Sequence, residues 1–483
     1  MLNKLKIILH ESKYYSFDIL TYLLLMLSIL LSDYNYNFLF CTLMICVVYV
    51  LLSFIDKIFY LLFFLYPFDN SFVITELKGF DVFNFLMCLC LMITSIKYLI
   101  KVIKKEEKIN IYIATILLII LLYMVMPIFP FNMSNTIKYL FIMIAIFIAF
   151  SIRQNIKFSL LVRSGAMGIV LSCFMAIMLN SNGRIMMGMS HYYEQSYEKF
   201  CGLFWNPNCL AIYSIIILSS LFVLLYNNRR SIIDLALIFS IFIFGYNTIS
   251  RNYVLSFAAI YILFIIISLI IKNRYAFFKG IFIGGILCVL ILCMFTQTEL
   301  YIDRIKNSQD IILTENVETN EDEHAMENDN EDEHAMENDN EDEHMMENDN
   351  EDEFEDPGRI KLWGKYIKSI IDSKKSILFG YGISKPWLGQ TPAHNGYIQV
   401  VWNFGIIGTS LLIVLMIIIL RKGKNKAGAA NIIIPFAILS IFENTIFNVW
   451  TLWVIILLIT LEERDKKGNK NDTKNYSLCV GRR

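Results

Sequence analysis

The sequence predicts an all-α polytopic membrane protein of about 12–14 transmembrane helices, with one large loop outside the bilayer between late helices. Three observations predict it. Hydrophobic residues make up 56% of the 483, and the mean hydropathy is +0.54, well outside the soluble globular range. Apolar runs of about 17–25 residues recur, each long enough to cross ~30 Å of hydrocarbon as a helix. One hydrophilic stretch, Thr296 to about Tyr397, interrupts them.

Taken in order, the apolar segments lie near 17–32, 36–55, 58–78, 81–100, 109–128, 135–151, 156–179, 206–226, 231–248, 253–271, 277–295, 398–420, 430–446 and 447–461. The first follows a basic, amphipathic lead-in (Lys4, Lys6, Lys13) with no evident cleavable signal. Pro67 and Asp69 cut the apolar core of the third, so it reads as a short tilted span or a re-entrant piece. The last two are short and touch each other. The organisation is therefore 1–295, transmembrane helices; 296–397, the large loop; 398–461, C-terminal helices; and 462–483, a basic tail.

The formal net charge of −1 hides two opposed parts. Glu315 to Asp356 holds 22 acidic residues and no Lys or Arg, which leaves +21 on the rest of the chain. The basic residues cluster in alternate loops: Lys101 to Lys108, Arg153 with Lys157, Arg229 with Arg230, Lys272 with Arg274, Arg421 to Lys426, and Arg464 to Lys470. The positive-inside rule assigns those loops and the C-terminus to the cytoplasm. The loops at 180–205, near 249–252 and at 296–397 then face outward.

A decapeptide, Glu-Asp-Glu-His-Ala-Met-Glu-Asn-Asp-Asn, repeats at 321–330 and 331–340, and with one change at 341–350. So acidic a repeat, spanning 321–353, cannot bury a core and is expected to be disordered and solvated. Its His324, His334 and His344 are weak candidates for divalent cations; recent sequence expansion explains the pattern more simply. The ten cysteines lie mostly inside apolar runs, without CxxC, and read as small core residues rather than a disulfide framework or zinc site.

Three groups on the outward side could carry chemistry. Lys199 to Asn208 leads into a helix, where Asn206 suits a cap and Pro207 a first turn, so a structural role explains part of it. Arg251, in Ser250-Arg251-Asn252, sits where two apolar helices meet; an arginine there can snorkel, but boundary charges in membranes are functional by default. The third group runs from Gly358-Arg359 through Gly380-Tyr381-Gly382 to His394-Asn395 and Asn403-Phe404-Gly405. A loop histidine is most often a surface residue. His394 differs in standing just before a transmembrane entry, with Gly396 and Gly405 permitting close backbone approach. A neutral imidazole there could take a proton from a sugar hydroxyl. The guanidinium groups of Arg251 and Arg359 could hold a pyrophosphate by paired hydrogen bonds and stabilise its charge as it leaves.

In order and spacing, Gly202-Leu203-Phe204-Trp205-Asn206-Pro207-Asn208, Ser250-Arg251, Arg359 and His394-Asn395 resemble the O-antigen polymerase and O-antigen ligase superfamily. The resemblance covers roughly 195–460. It implies a GT-C-like, metal-independent glycosyltransferase without a cofactor, using a polyprenyl-diphosphate-linked oligosaccharide. In that reading His394 acts on the acceptor hydroxyl, Arg251 and Arg359 engage the donor diphosphate, and Arg184, Lys199, Asn206, Asn208 and Asn395 contact substrate. Lys199 stands where the family commonly has an arginine, which puts a bidentate role there in doubt; Arg184 is a nearby substitute. The acidic repeat has no counterpart in the family pattern. The reading favours a capsule or exopolysaccharide polymerase over a ligase. Its partners would be the bilayer and, in the same pathway, a chain-length regulator and a flippase, with no nucleic acid. A polysaccharide flippase is the alternative of another class, but it would carry charges within several helices and short loops throughout. Here the main charges within spans are Arg163 and Glu443.

Overall fold

The computed structural model describes residues 18, 20–31, 37–68, 73–74, 80–106, 113–115, 117–119, 133–180, 189–191, 198–204, 206–227, 232–294, 298–299, 357–382, 388, 392–422, 425–446 and 449–461. The N-terminal lead-in, Arg184, most of the 109–128 segment, the repeat at 321–353 and the tail at 462–483 lie outside them.

Helices dominate, as the apolar runs require: in hydrocarbon, a helix satisfies its own backbone polar groups. They are α1 (Leu20–Leu31), α2 (Asn37–Leu52), α3 (Ile55–Leu65), α4 (Val82–Ile103), α5 (Met133–Ser151), α6 (Phe158–Asn180), α7 (Pro207–Asn227), α8 (Ile232–Tyr246), α9 (Arg251–Ile270) and α10 (Arg274–Cys293). After the loop come α11 (Pro357–Ile371), α12 (Lys374–Phe379), α13 (Gly396–Lys422), α14 (Lys426–Phe442) and α15 (Val449–Thr460). Two short antiparallel pairs decorate the connections: β1 (Val73–Ile74) with β2 (Phe80–Asp81), and β3 (Met189–His191) with β4 (Glu198–Phe200). Among the described residues six helices are long and apolar enough to cross a membrane: α4, α6, α7, α9, α10 and α13. Six further apolar helices are shorter. The protein is an all-α polytopic membrane protein.

The core is built around α7. Its span is 94% buried, against 22% for α10, because α6, α8, α9, α14 and α15 surround it. A helix that is apolar all round suits such a central place. Buried polar groups tie it to its neighbours: Asn431 of α14 donates to the Ser219 carbonyl at 2.9 Å, and Tyr213 donates to the Phe63 carbonyl at 2.8 Å. The third apolar segment resolves into α3, whose 11 residues reach only ~16 Å and fall well short of ~30 Å. Ile58 to Phe68 are all buried, and α3 packs chiefly on α6, so this segment is enclosed by other helices rather than lipid-facing.

The two ends of the bundle differ in charge. α6 begins after Lys157, α9 ends before Lys272, and α13 ends at Arg421 and Lys422, so these basic residues share one end. Arg163 of α6 grips the fully buried Asp234 of α8 there, Nε to Oδ1 at 2.7 Å and Nη2 to Oδ2 at 3.0 Å. The start of α9, the start of α13 and the end of α14 gather at the opposite end.

Candidate active site at the end away from the basic loops

His394 sits at the tip of the connection into α13 with φ +47, a left-handed conformation rare outside glycine and asparagine. Its chain neighbours hold it there. The Ala393 amide donates to Gln399 Oε1 at 3.2 Å, and the Ala393 carbonyl accepts from Trp363 Nε1 at 2.9 Å. On the other side the Asn395 amide donates to Asn444 Oδ1 at 3.0 Å. The Asn395 side chain caps α13, accepting from the Tyr397 and Ile398 amides at 3.0 and 3.1 Å. A strained residue fixed on both flanks is what a preorganised site needs.

The anchoring runs deeper, through a small platform made by α11, α12 and the first turns of α13. Gln399 Nε2 donates to Asn403 Oδ1 at 2.7 Å, and Asn403 Nδ2 donates to the Gly382 carbonyl at 3.0 Å. Tyr381 and Gly382 donate their amides to the Trp402 and Asn403 carbonyls at 2.7 and 2.8 Å. Those carbonyls are available because Gly405 breaks the helix, with φ +59 and ψ −170. Trp402 is fully buried, stacked on Tyr381 with ring centroids 4.0 Å apart and edge-on to Tyr366 at 4.9 Å. Burial pushes the Tyr366 phenol above its ordinary pKa, so it serves as a neutral acceptor for the Leu388 amide at 2.9 Å.

A turn at the end of α14 joins the remaining groups. Arg359 of α11 donates from Nη1 to the Phe442 carbonyl at 3.3 Å. Asn252, beside Arg251 in the first turn of α9, donates to Glu443 Oε1 at 3.3 Å. Asn444 receives the Asn395 amide, and Gly396 lies so close that an added Cβ would stand 3.2 Å from the Glu443 carbonyl oxygen. Thus the elements bearing Arg251, Arg359 and His394 all converge on Phe442 to Asn444. Sequence reasoning noted Glu443 only as a rare charge within a span; its place at this junction, and that of Asn444, escaped it. The available signal was a buried acid at the end of an apolar helix.

The Lys199 group lies at the same end. Lys199 is buried on β4 opposite Ser190, and the Phe200 amide donates to the Asn247 carbonyl at 3.1 Å, just before α9 begins. Asn206 caps α7, accepting from the Cys209 amide at 2.9 Å, with Pro207 at the first helical position. The structural reading of that pair therefore holds, and the Asn206 oxygen is committed to the cap. Asn208 is partly exposed in the first turn. Among the described residues no group of three or more His, Cys, Asp or Glu is arranged to hold a metal ion.

Residues 235–413 match the family model described as O-antigen ligase. Over that stretch, somewhat more than a third of its length, the chain is similar to the O-antigen ligase family, which supports a place near the O-antigen polymerase and ligase superfamily. The O-antigen ligase match runs from α8 into α13 and takes in Arg251, Arg359, His394 and Asn395, while Lys199, Asn206, Asn208 and the Glu443 turn lie outside it. No curated protein and no solved structure matches the chain. The apolar helices make this a multi-pass membrane protein, and the similarity points to a glycosyltransferase-like enzyme in general.

Proposed function

We propose that the protein polymerises polyprenyl-diphosphate-linked oligosaccharide units on the outer face of a bacterial cytoplasmic membrane, making a capsular, exo- or O-antigen-type polysaccharide. The observation that carries this reading is His394, held at φ +47 between two anchored neighbours and tied through one turn to the elements bearing Arg251 and Arg359. His394 takes the proton from the acceptor hydroxyl as that oxygen attacks the anomeric carbon of the donor. The bond from that carbon to the diphosphate oxygen breaks, and Arg251 and Arg359 stabilise the diphosphate that leaves. Lys199 and Asn208, at the same end, contact the glycan. Arg184, Asn206 and Asn395 complete the proposed contact set, although Asn206 and Asn395 also spend their side chains on helix caps. This chemistry calls for no metal or cofactor.

The matched family model is described as a ligase, and that favours one second reading: transfer of a finished glycan from the lipid to another acceptor. His394→Ala in cells lacking the native gene separates the two. Polymer output is expected to fall by roughly 10²–10⁴-fold, with the protein inserted at wild-type levels and single lipid-linked units accumulating. Accumulation of long lipid-linked chains would instead establish the ligase. Unchanged polymer would remove His394 from the chemistry. Arg251→Lys is expected to rescue Arg251→Ala only in part, because an ammonium keeps the charge but loses the bidentate fork.

A further inference from the structure

α11 has three faces, and the reading above uses only one. Leu362, Tyr366 and Ile370 turn inward onto Trp402 and the start of α13, and Trp363 reaches the Ala393 carbonyl beside them. Ile360, Ile367 and Ile371, spaced i, i+7 and i+11, form a second stripe and are 74%, 46% and 63% exposed. Gly364 lies within that stripe, with nothing within 4 Å of where its Cβ would be. Lys361, Lys365 and Lys368 are exposed along the flank of the isoleucines, and α12 adds exposed Lys374 and Lys375.

The depth of this helix follows from α13. It is two helical pieces joined at the Gly405 break, and the 17 residues from Ile406 to Lys422 extend ~25 Å, most of the hydrocarbon layer. With Arg421 and Lys422 in one headgroup layer, Gly405 and the residues before it come to the opposite edge of the hydrocarbon. α11 packs on that first piece of α13, through Ile398, Val401 and Trp402. An apolar stripe beside a cationic row, at headgroup depth, is the pattern of a helix lying in a membrane interface.

We propose that α11 is an interfacial helix, its isoleucine stripe set among the acyl chains and its lysine row against the phosphates of anionic phospholipids. The bilayer matches both faces at once, apolar below and anionic above, at the depth where α13 already places the helix. The proposal does not rest on the polymerase reading. It makes the bilayer the surface that fixes the height of α11, and so of Arg359 on its inward face.

The test uses the full-length protein with its native cysteines replaced, in nanodiscs of phosphatidylcholine with or without phosphatidylglycerol. A spin label is placed at each position from 360 to 371 in turn. Oxygen collisions should prevail over a water-soluble nickel chelate at 360, 367 and 371, about 5–10 Å below the phosphates, with the ratio inverted at 361, 365 and 368. Phosphatidylglycerol should draw the isoleucine positions deeper, and Lys361→Gln, Lys365→Gln and Lys368→Gln together should abolish that shift. Three results would overturn the idea: nickel access at 367 equal to that at 365 in both lipids; spin–spin broadening showing a second copy on the stripe; or shielding lost when 321–353 is deleted, which would make the acidic segment the occupant. Should cysteine replacement prevent folding, an environment-sensitive fluorescent amino acid at 367 in the otherwise native chain reads the same depth. Failure of brominated lipids to quench it would be equally decisive against the proposal.

Discussion

Replacing Gly405 by alanine tests whether the platform beneath His394 works as a rigid unit. With φ +59 and ψ −170, Gly405 occupies a region essentially reserved for glycine, and a non-glycine residue there costs about 1–3 kcal/mol. Space adds a second penalty. A Cβ on Gly405 would stand 2.5 Å from the carbonyl carbon and oxygen of Leu378 and 2.6 Å from the Gly380 amide nitrogen. These are backbone atoms, and restoring a carbon contact of ~3.5 Å means parting the two segments by about 1 Å. The displacement falls on the bonds that Tyr381 and Gly382 make with Trp402 and Asn403, and passes through Asn403 and Gln399 to the Ala393 amide next to His394. A misplacement of about 1 Å in a reacting group costs on the order of 10²-fold. Gly405→Ala is therefore expected to lower the thermal midpoint of the purified protein in detergent and to cut polymer formation about a hundredfold even where insertion is normal. Gly364→Ala is the matched control: that glycine is in a regular helix with open space above it, so alanine should stabilise by roughly 0.5–1 kcal/mol and leave output unchanged. Wild-type midpoint and output in Gly405→Ala, or an equal loss in Gly364→Ala, would refute the reasoning.

Two further outcomes are expected. Arg163→Ala takes the paired guanidinium from the buried Asp234 carboxylate and should destabilise by about 3–5 kcal/mol, whereas Arg163→Leu with Asp234→Leu should recover most of the loss in a thermal scan; a double variant no better than the single would show that the pair is not the cause. Deleting one or two copies of the repeat within 321–353 should leave polymer length and amount intact, because loop closure depends weakly on length and so acidic a composition offers little apolar surface to bury. Loss of polymer at normal protein levels would give the repeat a role.

What the sequence made legible was local. Apolar runs of sufficient length declare helices on their own, and capping chemistry at Asn206-Pro207 is carried by adjacent residues, so both could be read directly. Gly396 and Gly405 were likewise readable as points of close approach, since glycine before and inside an apolar run has few other uses. The contacts that missed notice join residues far apart. Asn395 meets Asn444 across 49 positions, Asn252 meets Glu443 across 191, and Arg163 meets Asp234 across 71. No periodicity records such pairings. The relay through Gln399 and Asn403 was hidden differently: within an apolar helix, two polar residues four apart look like isolated exceptions until Gly405 frees the carbonyls that complete their network.

That network gives a physical reason why the acidic repeat need not disturb the chemistry proposed for this end of the bundle. His394 is not positioned by the long loop as a whole. Its backbone is fixed by Trp363 from α11, by Gln399 from α13 and by Asn444 from the turn after α14. All three anchors lie C-terminal to residue 356, and the last two belong to the helical bundle itself. The described part of the loop that follows the acidic sequence is a platform clamped to α13 by paired backbone hydrogen bonds and a buried tryptophan. An insertion before Pro357 lengthens only the connection into α11 and adds no residue between any of these anchors and His394. On the proposed reading, the base and its two arginines keep their mutual geometry because they are referenced to one turn, Phe442 to Asn444, rather than to the loop that carries two of them.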